Sequence, residues 1–367
     1  QRLLDAGAIC HAKTTTPEFC ILGVTHSKLH GITRNPWDQE RTCGGSSGGS
    51  AALLALGATQ LATGSDIGGS IRIPASCCGI SGYKPPYGRN PEASPWNLNY
   101  YSHTGPLARN VIDLALMQNI ISGQSDDDLT SVREKVEIFS HTLQSLKGIK
   151  IAFSYDLGFF DVSLDVIDVF DQYLAHLRDL GAETIEVDLK WPKQFLQIGE
   201  LFLIETIYPH LTDFKKHLDD LCESTKHIIA MSAYSDSCDV ARANICANQM
   251  YHGMLQSIKG CNALICPTLS SLPVGADRIP PIIEFEIEGE RKQIFDESWC
   301  MTVPFNMLSR CPVMAIPAGL SKDKIPVGVQ IVGRSYMDQT VFEIAICSQK
   351  SRSLFVSSRD PAILPMS

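Results

Sequence analysis

Two glycine–serine loops hold the residues whose types and spacing could do chemistry. The first reads Gly44-Gly45-Ser46-Ser47-Gly48-Gly49-Ser50, and the second Gly64-Ser65-Asp66-Ile67-Gly68-Gly69-Ser70-Ile71-Arg72-Ile73-Pro74. Ser46 and Ser70 stand 24 positions apart. A serine hydroxyl beside exposed backbone N–H groups is what acyl transfer through a serine nucleophile requires. The hydroxyl is weak at neutral pH and needs a base for its proton. The tetrahedral intermediate needs donors aimed at its oxyanion, and losing one costs roughly 10²–10³ in rate. Ile67-Gly68-Gly69-Ser70 offers a run of such N–H groups, and its two glycines let the chain turn tightly against a substrate. Asp66 and Arg72 flank that turn with opposite charges, so an ion pair between them is expected to hold it rigid.

Flexible linkers are also rich in Gly and Ser. Here the first loop runs straight into Ala51-Ala52-Leu53-Leu54-Ala55-Leu56, which reads as a buried helix. Loops tucked between apolar elements rarely serve as linkers. Neither loop matches GxxxxGK[ST] or a GxGxxG that follows a strand, which argues against phosphate binding.

At these residues the chain closely resembles the amidase signature family, whose signature couples a GGSS-type loop to a GSD-[IT]-GGS-IR-P loop at this separation. Arg34-Asn35-Pro36-Trp37-Asp38 is similar to the segment before the first loop. Cys78-Gly79-Ile80-Ser81-Gly82-Tyr83-Lys84-Pro85 and Tyr87-Gly88-Arg89 are similar to the segment after the second. Gly105-Pro106-Leu107-Ala108-Arg109 with Asp113 is a further match. Near the far end, Pro304-Phe305-Asn306, Pro312, Ile316-Pro317 and Pro326-Val327-Gly328-Val329-Gln330-Ile331-Val332-Gly333 fit the family's C-terminal pattern.

The resemblance implies a nucleophile, Ser70, and a bridging serine, Ser46, that follows a cis peptide bond. It implies that Ser47 supports the Ser46 hydroxyl, and that the N–H groups of Ile67, Gly68, Gly69 and Ser70 form the oxyanion hole. The family's third member is a lysine acting in its neutral form as the base, with a pKa lowered by burial and neighbours. That lysine belongs far upstream of the first loop, and only 45 residues precede Ser46. Lys13 matches a different family segment, the one reading GKTN-x-PEF, and Lys84 a non-catalytic one. Residue 1 is glutamine, and Gln1–Gly7 reads as the tail of a helix ended by glycine. The expectation is therefore one amidase signature domain over residues 1–367 with an N-terminal portion missing, and a catalytic lysine upstream of residue 1. Cys43 and Pro86 also depart from the family, which often has proline and threonine there.

These loops need a scaffold, and the rest of the chain reads as α/β. Lys147–Ser154, Thr184–Leu189, Ala263–Pro267, Val313–Pro317 and Val327–Val332 are predicted as buried strands. Over Val162–Leu180, Val166, Val169, Phe170, Leu174 and Leu177 form a helical stripe closed by Gly181. The resemblance adds a large twisted mixed β-sheet covered on both sides by helices, with the serine loops at its centre. Residues 122–145 read as a surface connection and 272–298 as a loop over the site. The block Phe195, Leu196, Ile198, Leu201, Phe202, Leu203, Ile204, Ile207 and Tyr208 reads as a wall of the substrate pocket or as an ordinary core helix. Helical spacing favours core for most of them.

Composition excludes several functions. The net charge is −9 with no basic stretch, so nucleic-acid binding has no electrostatic support. The 13 cysteines form no CxxC pair and no zinc spacing with histidine. Cys77, Cys78, Cys266 and Cys311 read as reduced core residues of a cytoplasmic protein. His26 and His30 share an i,i+4 spacing without the glutamate of HExxH, so no metal is expected, and no cofactor. No apolar run reaches the ~18 residues of a membrane helix. Some fatty acid amide hydrolases carry an N-terminal anchor, so membrane association stays open, as does the homodimer common in the family.

The reading is an amidase that cleaves a small-molecule carboxylic amide to an acid plus ammonia or an amine. Two alternatives stand beside it. One is the amidase subunit of a glutamine-dependent glutamyl-tRNA amidotransferase, although such subunits usually read GSDTGGSIRQP where this chain has Ile67 and Ile73. The other is a truncated, inactive homologue kept for binding.

Overall fold

The fold follows from where short apolar runs and helical stripes fall along the chain. The structure, a computed structural model, describes residues 1–138, 145–232, 236–287 and 289–350. In chain order the elements are α1 (Arg2–Asp5), β1 (His26–Ser27), β2 (Gly31–Ile32), α2 (Gly48–Ala55), β3 (Leu61–Ser65), α3 (Arg72–Cys78), β4 (Ser81–Lys84), β5 (Thr104–Ala108) and α4 (Val111–Ile121). They continue with β6 (Lys150–Phe153), α5 (Leu164–Asp179), β7 (Glu183–Glu186), α6 (Lys193–Leu211), α7 (Glu223–Met231), α8 (Ser237–Ser257) and β8 (Ala263–Pro267). The last are β9 (Ile282–Ile287), β10 (Glu290–Phe295), α9 (Val303–Met307), β11 (Val313–Leu320), β12 (Pro326–Val332) and α10 (Asp338–Lys350).

Eight strands form one mixed sheet in the order β3-β5-β4-β11-β12-β8-β6-β7. The pairs from β3 to β8 are antiparallel, and β6 runs parallel to both β8 and β7. Strand side chains alternate between faces, and that alternation divides the core in two. Met314 and Ile316 of β11 and Val329 and Ile331 of β12 join Val169, Phe170 and Leu174 of α5 and Phe342 of α10 on one face. Val313 and Ala315 join α2, α3, α6 and α8 on the other. Helices thus cover both sides of a single α/β domain, and the serine loops lie on the α2–α3 side.

The strands predicted at Lys147–Ser154, Ala263–Pro267, Val313–Pro317 and Val327–Val332 are present as β6, β8, β11 and β12, and the Val162–Leu180 helix is α5. Gly181 closes α5 with a φ of 96°. The strand predicted over Thr184–Leu189 needs correction. It forms as β7 over Glu183–Glu186 and is mostly exposed, because it is the sheet's edge and pairs only with β6. The loop predicted over 272–298 needs correction as well. It contains the antiparallel hairpin of β9 and β10, in which Ile282 pairs with Phe295 and Ile287 with Glu290. Of the 122–145 connection, residues 122–138 carry no helix or strand, and 139–144 lie outside the described residues. All 13 cysteines are free. Cys77, Cys78, Cys266 and Cys311 are buried, and burial pushes their thiols up. Among the described residues, no helix is long and apolar enough to cross a membrane.

Candidate active site

The first loop ends in α2, whose N-cap is Ser47. Ser46 therefore lies beside a helix N-terminus, where partial positive charge favours a developing anion. The Gly45–Ser46 peptide is cis, as the resemblance implies. Gly45 is packed so closely that a Cβ there would lie 2.6 Å from the Val24 carbonyl oxygen and 2.7 Å from that of Leu22.

The second loop leaves β3 at Asp66 and enters α3 at Arg72. The ion pair expected between these residues is present and fully buried. Arg72 Nε donates to Asp66 Oδ2 and Nη2 to Oδ1, both at 2.9 Å. The remaining guanidinium donors are also taken. Nη2 reaches Asn306 Oδ1 at 2.6 Å, and Nη1 reaches Gln330 Oε1 at 2.8 Å and the Thr302 carbonyl at 3.0 Å. Asn306 Nδ2 returns a bond to Asp66 Oδ1 at 2.8 Å. Burial alone would raise the Asp66 carboxyl, but Arg72 and Asn306 hold it far below the usual carboxylate range.

Two expectations at these loops need correction. The Gly69 N–H donates to Asp66 Oδ1 at 2.8 Å, so it is committed to the carboxylate and not to an oxyanion. Among the described residues, the N–H groups of Ile67, Gly68 and Ser70 have no hydrogen-bond partner. The Ser47 hydroxyl donates to the Ser65 carbonyl at 3.4 Å and not to Ser46. Its backbone N–H donates to the Ser70 carbonyl at 3.2 Å, which joins the two loops directly.

Ser70 opens onto a cavity of ≈ 100 Å³ whose wall is mainly apolar. Ile67, Gly68 and Ile73 line it from the second loop, Leu203, Ile204 and Ile207 from α6, and Phe295 and Val303 from the far side. A second cavity of ≈ 140 Å³ shares Cys20, Ile67 and Ile207 with the first. The apolar block of α6 therefore does both things it was read for. Leu203, Ile204 and Ile207 face the cavity, while Leu196, Ile198, Leu201 and Phe202 pack in the core. The Tyr208 side chain lies outside the described residues.

Ser46 is buried at 1% exposure and Ser70 at 7%. Among the described residues, neither hydroxyl has a hydrogen-bond partner. Lys13 is exposed. Lys84 is buried with its ammonium on the carbonyls of Cys311 (2.9 Å), Ser309 (3.3 Å) and Pro85 (3.4 Å), and burial with nearby Arg72 lowers it to about 7. Neither lysine bonds to a loop serine. No group of three or more His, Cys, Asp or Glu among the described residues is placed to hold a metal ion.

The loops were legible in the sequence, but the partners that hold them came without roles. Asn306 and Gln330 stood in matching motifs, and only the structure brings them to Arg72. Glu200 and Glu297, which also line the cavity, were not singled out. The available signal was a glutamate at the first position of the i, i+3, i+4, i+7 face that continues with Leu203, Ile204 and Ile207.

The family model described as Amidase matches residues 1–342. An acylamidase of Rhodococcus erythropolis is 33% identical over 350 residues, spanning 94% of this chain and 72% of that protein. A glutamyl-tRNA(Gln) amidotransferase subunit of Thermotoga maritima is 29% identical over 384 residues, spanning 96% and 77%. Among solved structures, a bacterial aryl acylamidase of the amidase signature enzymes superposes with a TM-score of 0.84. It is 27% identical, and the match covers 96% of this chain and 74% of that one.

Proposed function

This chain belongs to the amidase signature family, a family of amide hydrolases, and we propose that it cleaves a carboxylic amide through an acyl-enzyme on Ser70. The observation that carries this reading is Ser70 itself. Its hydroxyl is unspent and faces an apolar cavity beside the free N–H groups of Ile67, Gly68 and Ser70. Ser70 Oγ attacks the carbonyl carbon, and the oxygen of the intermediate takes its negative charge to those donors. The Ser70 proton passes through Ser46 to a base, a role the resemblance gives to a neutral lysine. As the C–N bond breaks, the same relay protonates the leaving ammonia or amine. Water then attacks the ester and releases the acid.

Labelling with a fluorophosphonate probe, followed by peptide mapping, tests the assignment. The label is expected on Ser70, in step with loss of amide hydrolysis. Labelling elsewhere, or normal hydrolysis by Ser70→Ala, overturns it. The amidotransferase reading is disfavoured by Ile67 and Ile73, which both line the cavity and keep it apolar. Hydrolysis of a simple amide without partner subunits or tRNA separates the two readings.

A further inference from the structure

The β9–β10 hairpin stands apart from the main sheet, and among the described residues its two strands pair only with each other. A lone two-stranded hairpin is marginal in water and needs other elements to hold it. Along β10, Lys292 and Ile294 share the inward face. Ile294 is 1% exposed and packs in the core. Lys292 is 3% exposed, at a place where an apolar residue is the ordinary choice. Its ammonium meets Asp239 Oδ2 and Glu290 Oε2, both at 3.1 Å, and Asp236 Oδ2 at 3.6 Å. Asp236 is the N-cap of α8 and forms its capping box with Asp239, so the carboxylates are fixed at the start of that helix.

Two walls of the cavity beside Ser70 meet through this cluster. Helix α8 packs along α6, which lines the cavity with Leu203, Ile204 and Ile207. Strand β10 ends at Phe295, which lines it from the far side. Apolar contact has no preferred direction, so Ile294 and Phe295 alone would let the hairpin slide on its neighbours. A buried ion cluster adds little stability over an apolar replacement, and its best-attested use is to fix one register. Asp239 also accepts from Arg242 Nη1 and from the Asp236 N–H, each at 3.0 Å, so it keeps partners when the lysine is removed.

We propose that Lys292 is a positioning residue for the Ser70 site: by tying β10 to the start of α8, it sets the separation of Phe295 from α6 and so the bulk of the apolar group the cavity admits. This rests on the reading of Ser70 as the acyl-transfer centre. Lys292 touches no reacting atom, and no covalent step is added.

Saturation kinetics of Ser70 labelling by two fluorophosphonates, one ethyl and one 4-phenylbutyl, test the proposal. In Lys292→Met the half-saturating concentration of the phenylbutyl probe is expected to rise about fivefold to tenfold, the scale of one displaced apolar side chain. Its maximal labelling rate, and both constants of the ethyl probe, should stay as in the wild type. Lys292→Arg keeps the charge and should recover most of the difference. A merely structural role would slow both probes alike. An equal change for both probes, no change for either, or no recovery by arginine overturns the inference. Should Lys292→Met fail to fold, Asp236→Asn combined with Glu290→Gln leaves an N-cap residue and Asp239 in place. That pair should raise the same constant about twofold to threefold, and no rise overturns the inference.

Absence of label on Ser70 in the wild-type protein sinks the acyl-transfer reading alone. Binding of 4-phenylbutyramide, measured by titration calorimetry, then tests Lys292 without chemistry. Its affinity should fall about fivefold to tenfold in Lys292→Met, and equal affinity overturns the inference.

Discussion

The backbone N–H of Ser47 donates to the carbonyl of Ser70 at 3.2 Å. That bond joins two loops whose serines Ser46 and Ser70 are 24 positions apart, and it holds the N-terminus of α2 against the backbone of Ser70. The loops therefore behave as one unit, and changes in either should reach Ser70.

Ser70→Ala should remove probe labelling and lower amide hydrolysis by about 10⁴-fold or more, as loss of a covalent nucleophile does. Ser46→Ala should retain labelling at a rate reduced about 10²–10⁴-fold, since the donors of the hole persist when proton transfer is impaired. Rates of probe incorporation followed by intact-mass spectrometry distinguish the two. Equal rates in Ser46→Ala and wild type would remove Ser46 from the relay.

Arg72→Met leaves Asp66 charged and buried, with Asn306 and the Gly69 and Ile71 N–H groups as its remaining donors. Breaking a buried pair from one side costs about 3–5 kcal/mol. Arg72→Lys should recover little, because a single ammonium cannot serve Asp66, Asn306, Gln330 and the Thr302 carbonyl at once. Urea unfolding measures both, and a loss below about 1 kcal/mol in either would show the network to be dispensable.

Gly69 has a φ of 128°, and a Cβ there would lie 2.0 Å from Thr302 Oγ1 and 2.6 Å from Thr302 Cβ. Gly69→Ala is expected to destabilise the protein by about 1–3 kcal/mol. It should also slow Ser70 labelling, because the Thr302 hydroxyl that must move is bonded to the Gly68 carbonyl at 2.6 Å. Thermal unfolding with probe labelling checks it, and a variant unaffected in both would refute the packing argument.

Lys84 gives a pH dependence whose sign is fixed. Burial, helped by Arg72, lowers its amine from the usual 10.5 to about 7, while Asp66, Cys311 and Asp338 pull it back up. Between those values the unfolded chain binds the extra proton. Stability therefore rises with pH across that window by up to about 1.4 kcal/mol per unit, and the gain is lost as pH falls toward 7. Lys84→Met removes this slope whatever its uniform effect on stability. The difference between wild-type and Lys84→Met unfolding curves at several pH values isolates it, and a flat difference would mean the amine stays charged in the fold.

What was legible in the sequence divides along physical lines. The serine loops declare themselves because glycine, serine and an Asp–Arg pair at fixed offsets have few other uses. The α5 stripe declares itself because one helical face carries all its apolar residues. The β9–β10 hairpin was hidden by charge, since Glu284, Glu286 and the run Glu290-Arg291-Lys292 read as loop composition, although Glu284 and Glu286 alternate with Ile283, Phe285 and Ile287. Strands β3, β4 and β5 were hidden by their glycines and their brevity. The choice of Gly69 as an oxyanion donor missed the appetite of a buried carboxylate for N–H groups, which only the geometry of Asp66 discloses. Glu200 was passed over because a glutamate on a helix ordinarily faces water.

The Arg72–Gln330 bond spans 258 positions, and this orders events during synthesis. A ribosome has made Ser46, Ser70 and the whole first third of the sheet long before the side chain that completes the frame exists. The loops stay unframed until residue 330 clears the exit tunnel, so Ser70 is held in place only after β12 has been made.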